Sequence, residues 1–223
     1  ALGRRRPVDR WRPVAPQRLV VQLRTALIVS PAARTTAFLV VGTVLLGVSF
    51  RIEPGSDWFY PSALALAATW VVGAFASGPV PLGERAVVRP VLVGAALTGV
   101  FVLGALIVRE LPVLDDQVSA VTAYADRGSG LLIVGVTLVT GAAEELFFRG
   151  AVYAAMPQRP VLLSTLVYAL VTVATLNVAL VFAAALLGLV AGLLRQWSGG
   201  VLAPAITHVT WSLGMLLALP ALF

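Results

Sequence analysis

The residues equipped for chemistry are few. Of the ten carboxylates, only Glu144 and Glu145 stand in an apolar stretch, GAAEELFFRG, with Arg149 just behind them. On a helix, Glu145 and Arg149 are four residues apart and can pair along one face. Glu144 points about 100° away from that pair, which leaves its carboxylate to face a cavity. A free, poorly solvated carboxylate suits a general base towards water. The same spacing also suits the charged end of a membrane helix, with its ions at the interface. The single histidine, His208, lies in LAPAITHVTWS, and Ser212 follows one turn on, along the same face. For His208, a hydrogen-bonded packing role and a catalytic role both stand open. The chain has no cysteine, which excludes thiolate nucleophiles, zinc–thiolate sites and disulfides. A catalytic zinc wants three protein ligands, commonly two or three histidines. One histidine and two glutamates, one of them committed to Arg149, make a metal site unexpected, and no other cofactor is expected.

These groups must be positioned by elements that live in lipid. Of 223 residues, 59% are hydrophobic and 12% charged, with mean hydropathy +0.96. Soluble domains carry roughly a quarter charged and just under half apolar residues, so a water-soluble globule is ruled out, as is intrinsic disorder. Seven apolar stretches can be laid between the charges: 35–50, 58–77, about 90–108, 130 up to the Glu144–Arg149 cluster, 160–177, a sixth reaching 194, and about 200–223. Crossing a bilayer takes about 20 apolar residues. The expected fold is therefore all-α, a polytopic transmembrane bundle of about seven spans within residues 35–223. A basic arm, 1–34, precedes it, and its segment 17–29 (QRLVVQLRTALIV) reads as an amphipathic helix on the membrane surface. The arm shows no cleavable signal-peptide pattern. The polar connection 110–129 gives no sign of a folded domain. In the fourth span, Glu144 lies roughly 9 Å from the inner side of a core about 30 Å thick. His208, nine residues into the last span, lies roughly 13 Å from that side. The two depths match. Gly188 and Gly192 form a small-xxx-small pair suited to close helix approach, chiefly within the bundle.

The charges orient the bundle. All 16 basic residues are arginine, a bias that fits GC-rich DNA, and eight of them precede residue 35. An arm of this kind beside a hydrophobic span fits anionic lipid headgroups better than nucleic acid, and no nucleic-acid partner is expected. With the N-terminus in the cytoplasm, segments 1–34, 78–89, 149–160 and 195–198 hold 13 arginines. The outer segments hold Arg51, Arg109 and Arg127. Cytoplasmic loops carry such an excess, and seven spans would put the C-terminus outside.

Glu144-Glu145-x-x-x-Arg149, followed by a distal histidine helix, resembles the type II CAAX prenyl protease and bacteriocin-processing (Abi, CPBP) family of intramembrane proteases. The stretch from Gly188 to Ser212, GLVAGLLRQWSGGVLAPAITHVTWS, looks like that family's last two core helices, and the family-like core spans about 130–215. The family's second motif, Phe-x-x-x-His, falls on Tyr168-Ala-Leu-Val-Thr172 here. Its third, His-x-x-x-Asn or Asp, falls on His208 to Ser212. The resemblance implies a multi-pass protein of a bacterial plasma membrane, with Glu144 as the base that activates water and Glu145 with Arg149 as a positioning pair. It implies His208 as oxyanion donor and gives Thr172 and Ser212 weaker roles. Threonine cannot shuttle protons near neutral pH. Two readings follow: an endopeptidase cleaving peptides near the cytoplasmic leaflet, or a catalytically weak or inactive accessory subunit of a larger membrane complex. In either, a peptide or membrane protein and the lipid bilayer are the expected partners. Spans four, five and seven should line one cavity that opens towards the cytoplasm.

Overall fold

A computed structural model describes residues 30–223; the surface helix expected over 17–29 and nearly all of the basic arm lie outside them. The protein is an all-helical bundle. Its helices are α1 (Pro31–Ser49), α2 (Phe59–Ser77), α3 (Val88–Val108), α4 (Pro112–Arg127), α5 (Gly130–Glu145, running on without a break to Ala155), α6 (Pro160–Thr172, extended by a 3₁₀ turn to Thr175), α7 (Val178–Ser198) and α8 (Leu202–Ala218). Six of them (α1, α2, α3, α5, α7, α8) are long and apolar enough to cross a membrane, and α6 with its 3₁₀ turn is a shorter apolar helix. Lipid-facing surface is built from side chains such as Val88, Leu103, Ile107 and Leu131, which are more than 60% exposed. The segments expected as spans four, five, six and seven are α5, α6, α7 and α8.

The polar connection 110–129, which gave no sign of a folded domain in the sequence, is helical over Pro112–Arg127. Pro112 presets the first turn, Asp115 sits at the positive end of the helix and Arg127 at the negative end. The segment is too polar to show as a span, and only its alternation of faces carries the helix signal.

Small residues let the helices approach closely, as lipid-solvated packing requires. At Gly42 of α1 the Trp70 ring of α2 occupies the place a Cβ would take, 2.1 Å from it. Trp70 is 1% exposed, stacks on Phe147 at 4.7 Å and meets Phe148 edge-on at 5.2 Å. This aromatic group, with Leu66, Ala143, Val152 and Tyr168, forms the core between α1, α2, α5 and α6. On the other flank α3 packs along α8. There Gly94 sits against Thr210 and Gly214 against Thr98, while Thr207 donates to the Pro90 carbonyl at 2.9 Å.

The two ends of the bundle are closed differently. At the α4 end, the Tyr124 hydroxyl donates to the Ile52 carbonyl (2.7 Å), and the Ser129 N–H donates to the Tyr60 hydroxyl (2.7 Å). The Asn177 amide donates to the Gln117 carbonyl (2.6 Å), while the Gln117 side chain accepts from the Val178 N–H (2.9 Å). Helix α4 is thus pinned to the α1–α2 loop and to the α6–α7 turn. At the opposite end, the chain after α2 pairs its backbone with the α7–α8 turn: Glu84 N–H to the Ser198 carbonyl, Val201 N–H to Pro81, Leu202 N–H to Leu82. Gly83 has φ +75°, and a Cβ there would lie 2.4 Å from the Gly200 nitrogen; at Gly200 it would lie 2.0 Å from the Leu82 carbonyl carbon. Only glycines allow the two backbones to touch in this way.

Candidate functional site

The site is built on a helix that changes its winding. From Leu146 to Val152, α5 loosens into a π-helical turn, a departure frequent at functional sites. Arg195 of α7 reaches across to this turn, donating from Nε to the Arg149 carbonyl at 2.9 Å, with its guanidinium over the Tyr153 ring.

Glu145 and Arg149 are both completely buried and pair at 3.1 Å between Oε1 and Nη1. The other terminal nitrogen of Arg149 donates to the Gly188 carbonyl of α7 at 3.0 Å, and the Tyr168 ring lies 4.9 Å from its charge. Gly188 is needed here: a Cβ would come within 3.3 Å of that nitrogen and of the Tyr168 ring. The small-xxx-small pair therefore serves internal packing, with Gly192 against Val161 of α6. Across the bundle, His208 Nδ1 lies 2.8 Å from the same Glu145 oxygen. An ionised carboxylate accepts only, so Nδ1 carries the hydrogen, and the ring's other edge, Cδ2 and Nε2, rests against Gly141. One carboxylate oxygen thus ties α5 to α8, while Arg149 ties α5 to α7.

Glu144 faces elsewhere. Its Oε2 accepts from the Tyr168 hydroxyl of α6 at 2.5 Å, and Oε1 has no partner among the described residues. Glu144, Tyr168, Thr172, His208 and Ser212 line a single cavity of about 300 Å³, whereas Glu145 and Arg149 stand behind its wall. The Thr172 hydroxyl is spent on its own helix, donating to the Tyr168 carbonyl at 2.9 Å. The structure thus brings the six residues singled out from the sequence to one place, four on the cavity and two supporting it.

The cavity extends from Glu144 towards the α4 end. From Glu144 its lining runs through Thr137 and Ile133 of α5, Thr175 and Met215, to Tyr124, Phe59 and Pro220 at the α4 end. None of the residues that pair at the arginine-rich end lines it.

The donor set does not suit a catalytic metal. Glu145 Oε1 and His208 Nδ1 are bonded to each other, and the Arg149 cation shares the same oxygen. Among the described residues, no group of three His, Cys, Asp or Glu side chains is placed to hold an ion.

Three contributors escaped sequence reasoning. Tyr168 stood out only as a replacement for phenylalanine, yet its hydroxyl is what holds Glu144. Gly188 contributes a carbonyl, which no residue type announces. Gly141 gives His208 its place, and its position one turn before Glu145 was the available signal.

Residues 127–214 match the family described as type II CAAX prenyl endopeptidase Rce1-like. The resemblance read from the motifs is borne out over that stretch, which is less than half of the chain. No curated protein and no solved structure matches. With its six long apolar helices, the chain is a multi-pass, CAAX-protease-like membrane protein.

Proposed function

We propose that the chain is a membrane-embedded peptidase of the plasma membrane that hydrolyses peptide bonds slowly with Glu144 as its base. One observation carries this reading: in a cluster where every other charge is locked, Glu144 alone keeps a free carboxylate oxygen on the cavity wall. In the step envisaged, a water attacks the peptide carbonyl carbon and gives its proton to Glu144 Oε1. The carbonyl oxygen becomes an oxyanion, the C–N bond then breaks, and the proton passes from Glu144 to the leaving amine. Tyr168 fixes the carboxylate so that Oε1 faces the water. Ser212, one turn from His208 and on the same cavity, is the hydroxyl assigned to the oxyanion. His208, with its Nδ1 hydrogen committed to Glu145, can donate from Nε2 only as the imidazolium. Glu145 and Arg149 hold His208 and the three helices and touch no substrate.

A second reading, an accessory subunit with little or no catalysis, is favoured by Thr172. It stands where the family carries a histidine, and its hydrogen is bonded to its own helix. Losing one general acid–base group typically forfeits 10²–10⁴-fold in rate, which is why the proposed turnover is slow. The test is single-turnover cleavage of a membrane-peptide library in proteoliposomes, comparing wild type with Glu144→Gln. Cleavage by the wild type that disappears in Glu144→Gln, at equal abundance and thermal stability, supports hydrolysis. If no peptide is cut, and Glu144→Gln leaves the protein's function intact in its source cell, the accessory reading replaces it.

A further inference from the structure

The loosened turn of α5 leaves a carbonyl to be satisfied from outside its own helix. In an α-helix the Arg149 carbonyl would accept from the Tyr153 N–H, four residues on. Here that N–H turns to the Phe148 and Gly150 carbonyls, and the Arg195 Nε–H stands in for it at 2.9 Å. We propose that Arg195 is a positioning residue of the site: by holding the Arg149 carbonyl it keeps the wide turn from rewinding, and through Arg149 and Glu145 it fixes the ring of His208. This deepens the proposed function and rests on it for the effect on cleavage; the effect on His208 holds whether or not a peptide is cut.

Helix α7 grips Arg149 at two points. Arg195 meets its carbonyl, while the Gly188 carbonyl, seven residues earlier on the same face of α7, accepts from Nη2 at 3.0 Å. The two grips stand about 10 Å apart along the helix at 1.5 Å per residue. With backbone and side chain both anchored on α7, Nη1 reaches Glu145 Oε1 at 3.1 Å, and that oxygen stands 2.8 Å from His208 Nδ1. Every link is buried: Arg149 and Glu145 are fully enclosed, and His208 is 5% exposed. Arg195 itself is half-buried, with its guanidinium 5.0 Å over the Tyr153 ring, and it does not line the cavity of Glu144. It acts through Arg149.

A buried carbonyl without a donor is rare in folded proteins, so the turn depends on the partner Arg195 supplies. Rewinding to i→i+4 bonds would swing the residues on one side of the turn by about 100° against those on the other. Arg149 lies in its middle, and its side chain would no longer meet Gly188 and Glu145 together. Glu145 would lose the cation that orients its carboxylate. His208 Nδ1 would then lose the acceptor that selects its tautomer.

Two substitutions separate the hydrogen bond from the bulk of the side chain. Arg195→Met puts a methyl group where Nε stood, whereas Arg195→Gln keeps an N–H at that position without the charge. His208 is the only histidine, so histidine labelled with ¹⁵N at Nδ1 reports on it alone, read by solid-state NMR in lipid bilayers at neutral pH. The wild type should show a protonated Nδ1. In Arg195→Met most molecules should show a bare Nδ1, and Arg195→Gln should match the wild type. In single-turnover cleavage, Arg195→Met should lower the maximal rate about tenfold or more at an unchanged half-saturating peptide concentration, and Arg195→Gln should recover it. Where Arg195→Met does not fold, Arg195→Asn, whose amide is one methylene too short to reach the carbonyl, takes its place in both measurements. A protonated Nδ1 in the variant lacking the donor overturns the link from the turn to His208. Arg195→Gln behaving like Arg195→Met overturns the Nε–H as its cause, and a changed signal beside an unchanged rate overturns its bearing on cleavage. If the wild type cuts no peptide, the proposed function falls, while the Nδ1 signal still decides whether Arg195 positions His208.

Discussion

Removing Arg149 tests the load on the buried network. In Arg149→Ala, Glu145 loses its 3.1 Å ion pair while remaining fully buried, with only His208 Nδ1 left against its carboxylate. Its Oε2 already lacks a partner, so nothing nearby takes over. Breaking a buried pair from one side costs about 3–5 kcal/mol, because the remaining charge is uncompensated. The double variant Glu145→Leu, Arg149→Met removes both charges and keeps the volume filled. It leaves the His208 Nδ1 hydrogen without a partner, a cost of about 1–3 kcal/mol, while the Gly188 carbonyl loses its Arg149 donor in both variants alike. The double variant should therefore be more stable than the single one by about 2 kcal/mol, roughly thirtyfold in the folding constant. Equilibrium unfolding in mixed micelles, by titrating a denaturing detergent, measures both. An Arg149→Ala loss below about 1 kcal/mol, or a double variant less stable than the single one, would refute the claim that the ion pair is an isolated buried charge couple.

Three further outcomes follow from the geometry. Tyr168→Phe installs the residue the family pattern carries, yet should lower cleavage per folded molecule at least tenfold. It removes a hydrogen bond to a charged group, worth about 1.5–3 kcal/mol, and Thr172→His added to it should recover rate; unchanged cleavage in Tyr168→Phe denies the positioning role. Gly200→Ala puts a Cβ 2.0 Å from the Leu82 carbonyl carbon and 2.1 Å from the Gly83 nitrogen. Backbone on both sides cannot yield, so the yield of folded protein in detergent should collapse, while Gly99→Ala, with open space around it, should stay within about 0.5 kcal/mol of wild type. Burial pushes the Tyr124 phenol above its ordinary value of about 10. Its bond to Ile52 is therefore complete below that value and lost as the pH rises through the raised one. A cysteine at Thr122 should label faster only above that point, and in Tyr124→Phe it should label fast at neutral pH too; a flat alkaline profile speaks against the latch.

Seven of the eight helices among the described residues were legible from hydrophobic runs because lipid demands long apolar stretches, and their breaks coincide with prolines, glycines and charges. Helix α4 escaped because its polarity matched that of a loop. The Glu145–Arg149 pairing could be read from four-residue spacing on one helix, which is local geometry. The bonds from Glu145 to His208 and from Glu144 to Tyr168 span 63 and 24 residues and depend on how α5, α6 and α8 face each other. Equal depth in the membrane was the one clue available to His208. The contact between the backbones at Gly83 and Gly200, 117 residues apart, could not be read at all.

That contact between Gly83 and Gly200 also joins two connections 117 residues apart in the sequence. The N–H groups of Val201 and Leu202, at the start of α8, donate to the carbonyls of Pro81 and Leu82 in the chain that follows α2. The entry of α8 is thus set by a connection that belongs to the other half of the protein. His208 lies on that helix, 2.8 Å from Glu145, so a bulky residue at position 83 or 200 would shift the histidine off its carboxylate as well as strain the turn.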